Sequence, residues 1–171
     1  MRWSLALAAA ACLGLLTVVP VVPAFAQATA KPGEVFGDWV YECVAVGEGR
    51  EACALNQSLV DQETGKLLVR FSLGRDEQND TVSLVALVPL GIDFAAGVSG
   101  GLDDAAGFQM QLRTCLNTSC IAAARVDDAM LEKMKQGTTL KIGFKMMTEQ
   151  QPRILGGSLR GITAGTKAAG F

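Results

Sequence analysis

The sequence predicts a mainly β fold: an antiparallel β-sandwich with one or two short helices, stapled by disulfides. Three observations predict it. Short apolar runs alternate with polar residues at period two, clusters of turn residues separate them, and four cysteines follow an export-type leader. A closed barrel would show the same pattern.

The chain of 171 residues is enough for one domain. Residues 1–26 differ from the rest. Arg2 supplies a positive start, the stretch 5–22 is nearly all apolar and uncharged, and Ala24-Phe25-Ala26 is a small-x-small cleavage site. This reads as a signal peptide rather than an anchor, with Cys12 discarded along with it. Residues 27–35 read as a flexible leader, and a single domain occupies 36–171. The net charge of −2 is mild. It gives no reason to expect nucleic acid as a partner. After signal cleavage no later stretch is long enough for a transmembrane segment.

The domain opens at Phe36-Gly37-Asp38-Trp39. Trp39, Tyr41, Cys43 and Ala45 share one face of a strand, and Gly47-Glu48-Gly49 turns it. Cys53, Leu55, Gln57 and Leu59 alternate on the returning strand. Leu67, Val69, Phe71 and Leu73 mark the next. The run 82–88 is apolar on both faces, as in a central, covered strand. Phe108, Met110 and Leu112 alternate with polar residues, and 120–126 returns after a short turn. Asp127 or Asp128 caps a helix that Gly137 ends, with Lys133 and Lys135 in its last turns. Leu140, Ile142, Phe144 and Met146 define another strand, 153–160 a last one, and 162–171 a second short helix or frayed coil.

Four cysteines remain in the mature chain: Cys43, Cys53, Cys115 and Cys120. An even count in an exported chain reads as two disulfides, with three possible connectivities. The local pairs, Cys43–Cys53 and Cys115–Cys120, are favoured because short loops close with less entropy loss. A zinc site is disfavoured, since neither spacing is a tight C-x2-C.

The chain contains no histidine. That removes Ser-His-Asp and Cys-His catalysis and the usual hydrolytic zinc sites. Gly97-Val98-Ser99-Gly100-Gly101 matches G-x-S-x-G but lacks both a histidine base and the strand–turn–helix context, so 97–101 reads as a flexible loop. No nucleotide motif is present, and no cofactor is expected. Asp93, Asp103 and Asp104 lie in one long connection, 89–107, and are the carboxylates from which a calcium site or glycosidase pair would have to be built. No EF-hand spacing accompanies them, and a solvated loop is the simpler reading. Leu90, Ile92, Phe94 and Val98 in the same connection either dock on the domain or face a partner, docking being the first choice. Together with Asp93, Asp103 and Asp104 they form the candidate contact loop.

Several of these segments, taken in order, resemble the invasion-associated locus B family of α-proteobacterial envelope proteins. They are Phe36-Gly37-Asp38-Trp39 followed by Cys43, then Cys53-Ala54-Leu55-Asn56-Gln57, then Val88-Pro89-Leu90-Gly91-Ile92 with Gly97-Val98. The pair Cys115 and Cys120, the helix after Asp127, the strand 140–144 and Ser158-Leu159-Arg160-Gly161 complete the series. Ile162 stands where the family usually has an aromatic residue, and the glycine-rich stretch 97–107 is expected to differ from relatives in length. The resemblance implies an immunoglobulin-like sandwich, two disulfides, and export to the periplasm, with release or outer-membrane association as further destinations. It implies no catalytic residues. Some pathogen members are linked to host-cell invasion. The expectation is therefore a non-enzymatic interaction or envelope factor with a protein partner in the envelope or the host. An envelope glycan hydrolase working through carboxylates and a small-molecule carrier are the alternatives.

Overall fold

The structure, a computed structural model, describes residues 29–76 and 79–171. The predicted signal segment lies outside the described residues. Ten strands and two helices follow in chain order: β1 (Val35–Phe36), β2 (Trp39–Gly47), β3 (Arg50–Val60), β4 (Leu67–Asp76), β5 (Thr81–Pro89), β6 (Val98–Leu102), β7 (Phe108–Cys115), β8 (Ser119–Val126), α1 (Asp128–Gln136), β9 (Thr139–Phe144), β10 (Arg153–Ser158) and α2 (Ile162–Ala169).

The ladder is antiparallel throughout and runs in the order β1-β2-β3-β4-β5-β8-β7-β6-β9-β10. Residues of alternating character build it because successive side chains in a strand point to opposite faces. In β4 this buries Val69, Phe71 and Leu73; in β9 it buries Leu140, Ile142 and Phe144. The sheet curls so that its last strand lies over its first ones. Gly157 of β10 sits against the Phe71 ring of β4 and the Gln57 amide of β3 so closely that a Cβ there would lie 2.3 Å from Gln57 Oε1. Trp39, Leu55, Phe71, Leu84 and Ile142 fill the space between.

The mainly β, antiparallel reading holds, and the structure refines it at three places. The Gly-rich stretch 97–101, expected as a flexible loop, is largely strand: β6 pairs with β7 on one side and β9 on the other. Glycine suits that position because the Phe108 ring covers Gly100, where a Cβ would come within 2.3 Å of it. The second place is β5. It is central, but only Val82, Leu84, Ala86 and Val88 are buried, and Ser83, Val85 and Leu87 are half-buried. Its second face is only partly covered. The third is the segment leading into β1. Thr29 and Ala30 donate to the Ala168 carbonyl of α2, and Gly33 donates to Tyr41, so residues 29–35 lie hydrogen-bonded along the domain.

Asp127 is the N-cap of α1, accepting from the Met130 N–H at 2.8 Å, and Gly137 closes the helix. Leu131 and Met134 face the core. No helix among the described residues is long and apolar enough to cross a membrane.

Candidate functional site

The connection between β5 and β6 carries most of the candidate contact residues, and the structure sorts them into two kinds. Ile92 and Val98 are core residues, 2% and 1% exposed. They dock because Ile92 forms a β-bridge with Met146, and Val98 begins β6 opposite Met110 and Phe144. Neither is free to meet a partner, which corrects their place in the contact set. Leu90 and Phe94 do face outward, at 44% and 64% exposed. The loop that presents them is braced. Asp93 N–H donates to the Lys145 carbonyl at 2.7 Å, and Met147 N–H to Gly91 at 2.9 Å.

Each of the three carboxylates has donors of its own. Asp93 accepts from the Ala95 N–H at 3.0 Å and faces Lys145 Nζ at 3.5 Å. The Ala95 amide first, with Ala96 and Lys145 adding to it, holds its pKa below the ordinary value against the opposing cost of desolvation. Asp103 accepts from the Thr138 hydroxyl at 2.6 Å, and from the Thr138 and Thr139 amides at 3.1 and 2.9 Å. Those donors, the hydroxyl first, lower its pKa as well. Asp103 adopts a left-handed backbone, φ 48°, tolerated by aspartate at a turn. It thereby ties the β6–β7 turn to the start of β9. Asp104 is fully exposed and meets Lys141 Nζ at 3.0 Å. A glycosidase needs one carboxyl kept protonated, whereas Asp93 and Asp103 are surrounded by donors that favour the charged form.

Two surface grooves flank these residues. One, of about 590 Å³, runs between α1 and the β6–β7 turn, with Leu102, Phe108 and Met130 at its apolar side and Lys133 at its rim. The other, of about 330 Å³, lies beside Asp103, Asp104 and Lys141.

Cys43 and Cys53 are directly opposed in β2 and β3, and Cys115 and Cys120 in β7 and β8. Both disulfides are formed between these neighbours, with Cα separations of 4.0 and 3.9 Å. The cluster Cys43, Glu51 and Cys53 has metal-like spacing, but its two sulfurs are bonded to each other.

The motifs at the two ends of the domain converge on one seam, which sequence reasoning missed. Asp38 and Arg160 form a two-point ion pair, 3.0 and 2.5 Å, and the Asp38 N–H donates to the Arg160 carbonyl at 3.1 Å. The Trp39 indole donates to the Ser158 carbonyl at 2.9 Å. Gln57 Nε2 bridges the carbonyls of Ser158 and Asp38 at 2.9 and 3.1 Å. The backbones touch: a Cβ on Gly37 would lie 2.3 Å from the Arg160 carbonyl oxygen, and one on Gly161 2.1 Å from that of Phe36. Asp38 and Arg160 are 122 residues apart, so no local pattern announces the contact. The residues that give these segments their recognisable look are thus the ones that join the start of the ladder to its end.

β2 is also an open edge. Beyond the two pairs that β1 makes, at Trp39 and Val40, no strand among the described residues covers it, and Val44 and Val46 are exposed there.

Fold and site together define a disulfide-clasped antiparallel β domain whose motif residues close the fold. A family model for invasion associated locus B (IalB) protein matches residues 39–170. The chain belongs to that family. It is 30% identical over 131 residues to the invasion protein B homologs of Brucella abortus strain 2308 and of Brucella abortus biovar 1 strain 9-941, covering 77% of this chain and 75% of each relative. The fold matches the crystal structure of invasion associated protein B from Bartonella henselae with a TM-score of 0.67, at 24% identity over 77% of this chain and 89% of that one.

Proposed function

We propose that this protein is exported, loses residues 1–26, and acts in the periplasm or beyond as a non-enzymatic interaction or envelope factor. The observation that carries the reading is Phe94, an exposed aromatic on a connection held at both sides by buried Ile92 and Val98. An exposed aromatic on a braced loop suits recognition, because little conformational entropy is lost when it is covered. The two disulfides support an oxidising compartment. The donors around Asp93 and Asp103 favour their charged forms, which does not suit the protonated acid that a glycosidase needs. The names of the Brucella and Bartonella relatives connect the family to invasion, and we read invasion as one use of such a contact surface. The open edge of β2 offers a second place for a partner, by strand addition.

Crosslinking in the native envelope followed by co-purification tests this. Recovery of a discrete envelope or host protein, lost in Phe94→Ser, is the expected result. Recovery of the same species by both forms removes the loop from the reading. An N-terminus still at Met1 would overturn export.

A further inference from the structure

We infer that the base of the β2–β3 hairpin is a redox-gated zinc site, in which Cys43, Cys53 and Glu51 hold the ion once a dithiol has opened their disulfide. The inference goes beyond the contact loop and does not depend on it. Strand register assembles the ligands. Tyr41, Cys43 and Ala45 of β2 stand opposite Leu55, Cys53 and Glu51 of β3. Side chains alternate along a strand, so these six share one face. Tyr41 and Leu55 lie in the core, the cysteines are half-buried at its margin, and Glu51 is exposed. Ala45, opposite Glu51, is too small to stand between the carboxylate and the sulfurs. A Glu51 carboxylate oxygen and both Sγ atoms lie within 4.8 Å of one another. A search for C-x2-C misses this pair, because the hairpin rather than the chain spacing brings it together.

The donor set selects the ion. Two thiolates suit zinc or copper(I), and a carboxylate as third donor favours zinc. The Glu51 carboxylate is uncommitted: it accepts no hydrogen bond and joins no ion pair among the described residues. The neighbouring guanidinium groups have partners already, Arg50 in Glu48 and Arg75 in Asp80. Opening the disulfide takes two electrons and two protons. A dithiol supplies both, becomes a disulfide itself, and leaves Cys43 and Cys53 as thiols. Zinc then displaces one proton from each thiol, and its charge offsets the repulsion between two thiolates and a carboxylate. Oxidation by two electrons reverses the sequence, re-forms the sulfur–sulfur bond and expels the ion. The hairpin needs a clasp in either state. Every residue from 44 to 52 is exposed, on both faces of the ribbon, and a two-stranded ribbon without a core holds together poorly.

Zinc titration of the purified protein, reduced under argon and competed against a chromophoric chelator, tests the inference. Reduced wild-type protein is expected to take up one zinc ion tightly, and the oxidised protein none. Cys43→Ser combined with Cys53→Ser should weaken binding by more than about tenfold, and Glu51→Gln by about tenfold. The Glu51 variant keeps all four cysteines and changes only an exposed side chain, so its folding is not at stake. Cys115→Ser combined with Cys120→Ser removes the other pair and should bind like the wild type. Failure of the reduced wild type to bind zinc overturns the inference. So does equal affinity in Glu51→Gln, which would leave the carboxylate outside the site. Equal losses in the two double-cysteine variants overturn it as well, since loose thiols on an unfolded chain would give that result.

Discussion

Gly161 illustrates how much of this fold depends on single residues at the seam. Its φ of 94° is left-handed, and a Cβ would lie 2.1 Å from the Phe36 carbonyl oxygen. Backbone cannot yield as a flexible side chain can. Gly161→Ala therefore combines an unfavourable conformation with a backbone clash, and we expect a loss of more than about 3 kcal/mol, read as a drop in the urea midpoint. Serine at Gly65, where φ is 65° but no atom lies within 4 Å, should cost only about 1 kcal/mol. Asp38 makes a second residue-scale prediction. The Arg160 hydrogen bond first, and the Ser158 hydroxyl after it, lower its pKa from 3.8 to about 2. The folded pKa is depressed, so this group's contribution to stability is complete above about pH 4 and disappears as the pH falls from there toward 2. Unfolding titrations between pH 5 and 2 should show a shallower acid loss in Asp38→Asn than in the wild type. Equal slopes would mean that the pair does not couple folding to protonation.

The elements differ in how far the sequence announces them. β4 and β9 are plain from alternation alone, because each buries one face and leaves the other at least partly wet. The ends of α1 are equally legible, since Asp127 and Gly137 act through local hydrogen bonds that a few residues specify. β6 is not legible. Ser-Gly-Gly carries no apolar alternation, and the strand exists because β7 and β9 supply its hydrogen bonds from either side and Phe108 covers its glycine. The buried state of Ile92 is hidden in the same way, by a bridge to Met146 more than 50 residues away. The β2–β3 hairpin gives this scale its prediction. Its disulfide joins directly opposed residues ten apart in sequence. Replacing both cysteines with serine should cost about 2–3 kcal/mol through the freed unfolded chain. Hydrogen exchange should quicken first in the outer half of β2, which has an open edge. Uniform loss of protection over the whole sheet would instead show that the hairpin opens only with global unfolding.

At the scale of the whole molecule, the seam turns a linear strand order into a closed arrangement, and closure explains why the recognisable motifs sit at the two ends of the domain. Trp39, Gln57, Ser158 and Arg160 would have no reason to be held together in an open sheet, and the hydrogen bonds that join them cross it at its junction. The contact surface has the opposite origin. Leu90 and Phe94 are each unremarkable in the sequence, since single exposed apolar residues are ordinary, and they become a surface only because the connection that presents them is braced against Lys145 and Met147. Seam and contact loop should therefore respond differently to mutation. Gln57→Leu keeps the bulk of the side chain but removes the donor shared by the Asp38 and Ser158 carbonyls. It also removes Gln57 Oε1, a buried acceptor with no hydrogen-bond partner, which offsets part of the loss. We expect a net destabilisation of about 1–2 kcal/mol, with crosslinking to any partner retained in the fraction that stays folded. Phe94→Ser should do the reverse, leaving the unfolding midpoint within about 0.5 kcal/mol of wild type while abolishing contact. Parallel denaturation and crosslinking of the two variants would check the division, and loss of partner contact in folded Gln57→Leu protein would show that the seam is itself part of the binding surface.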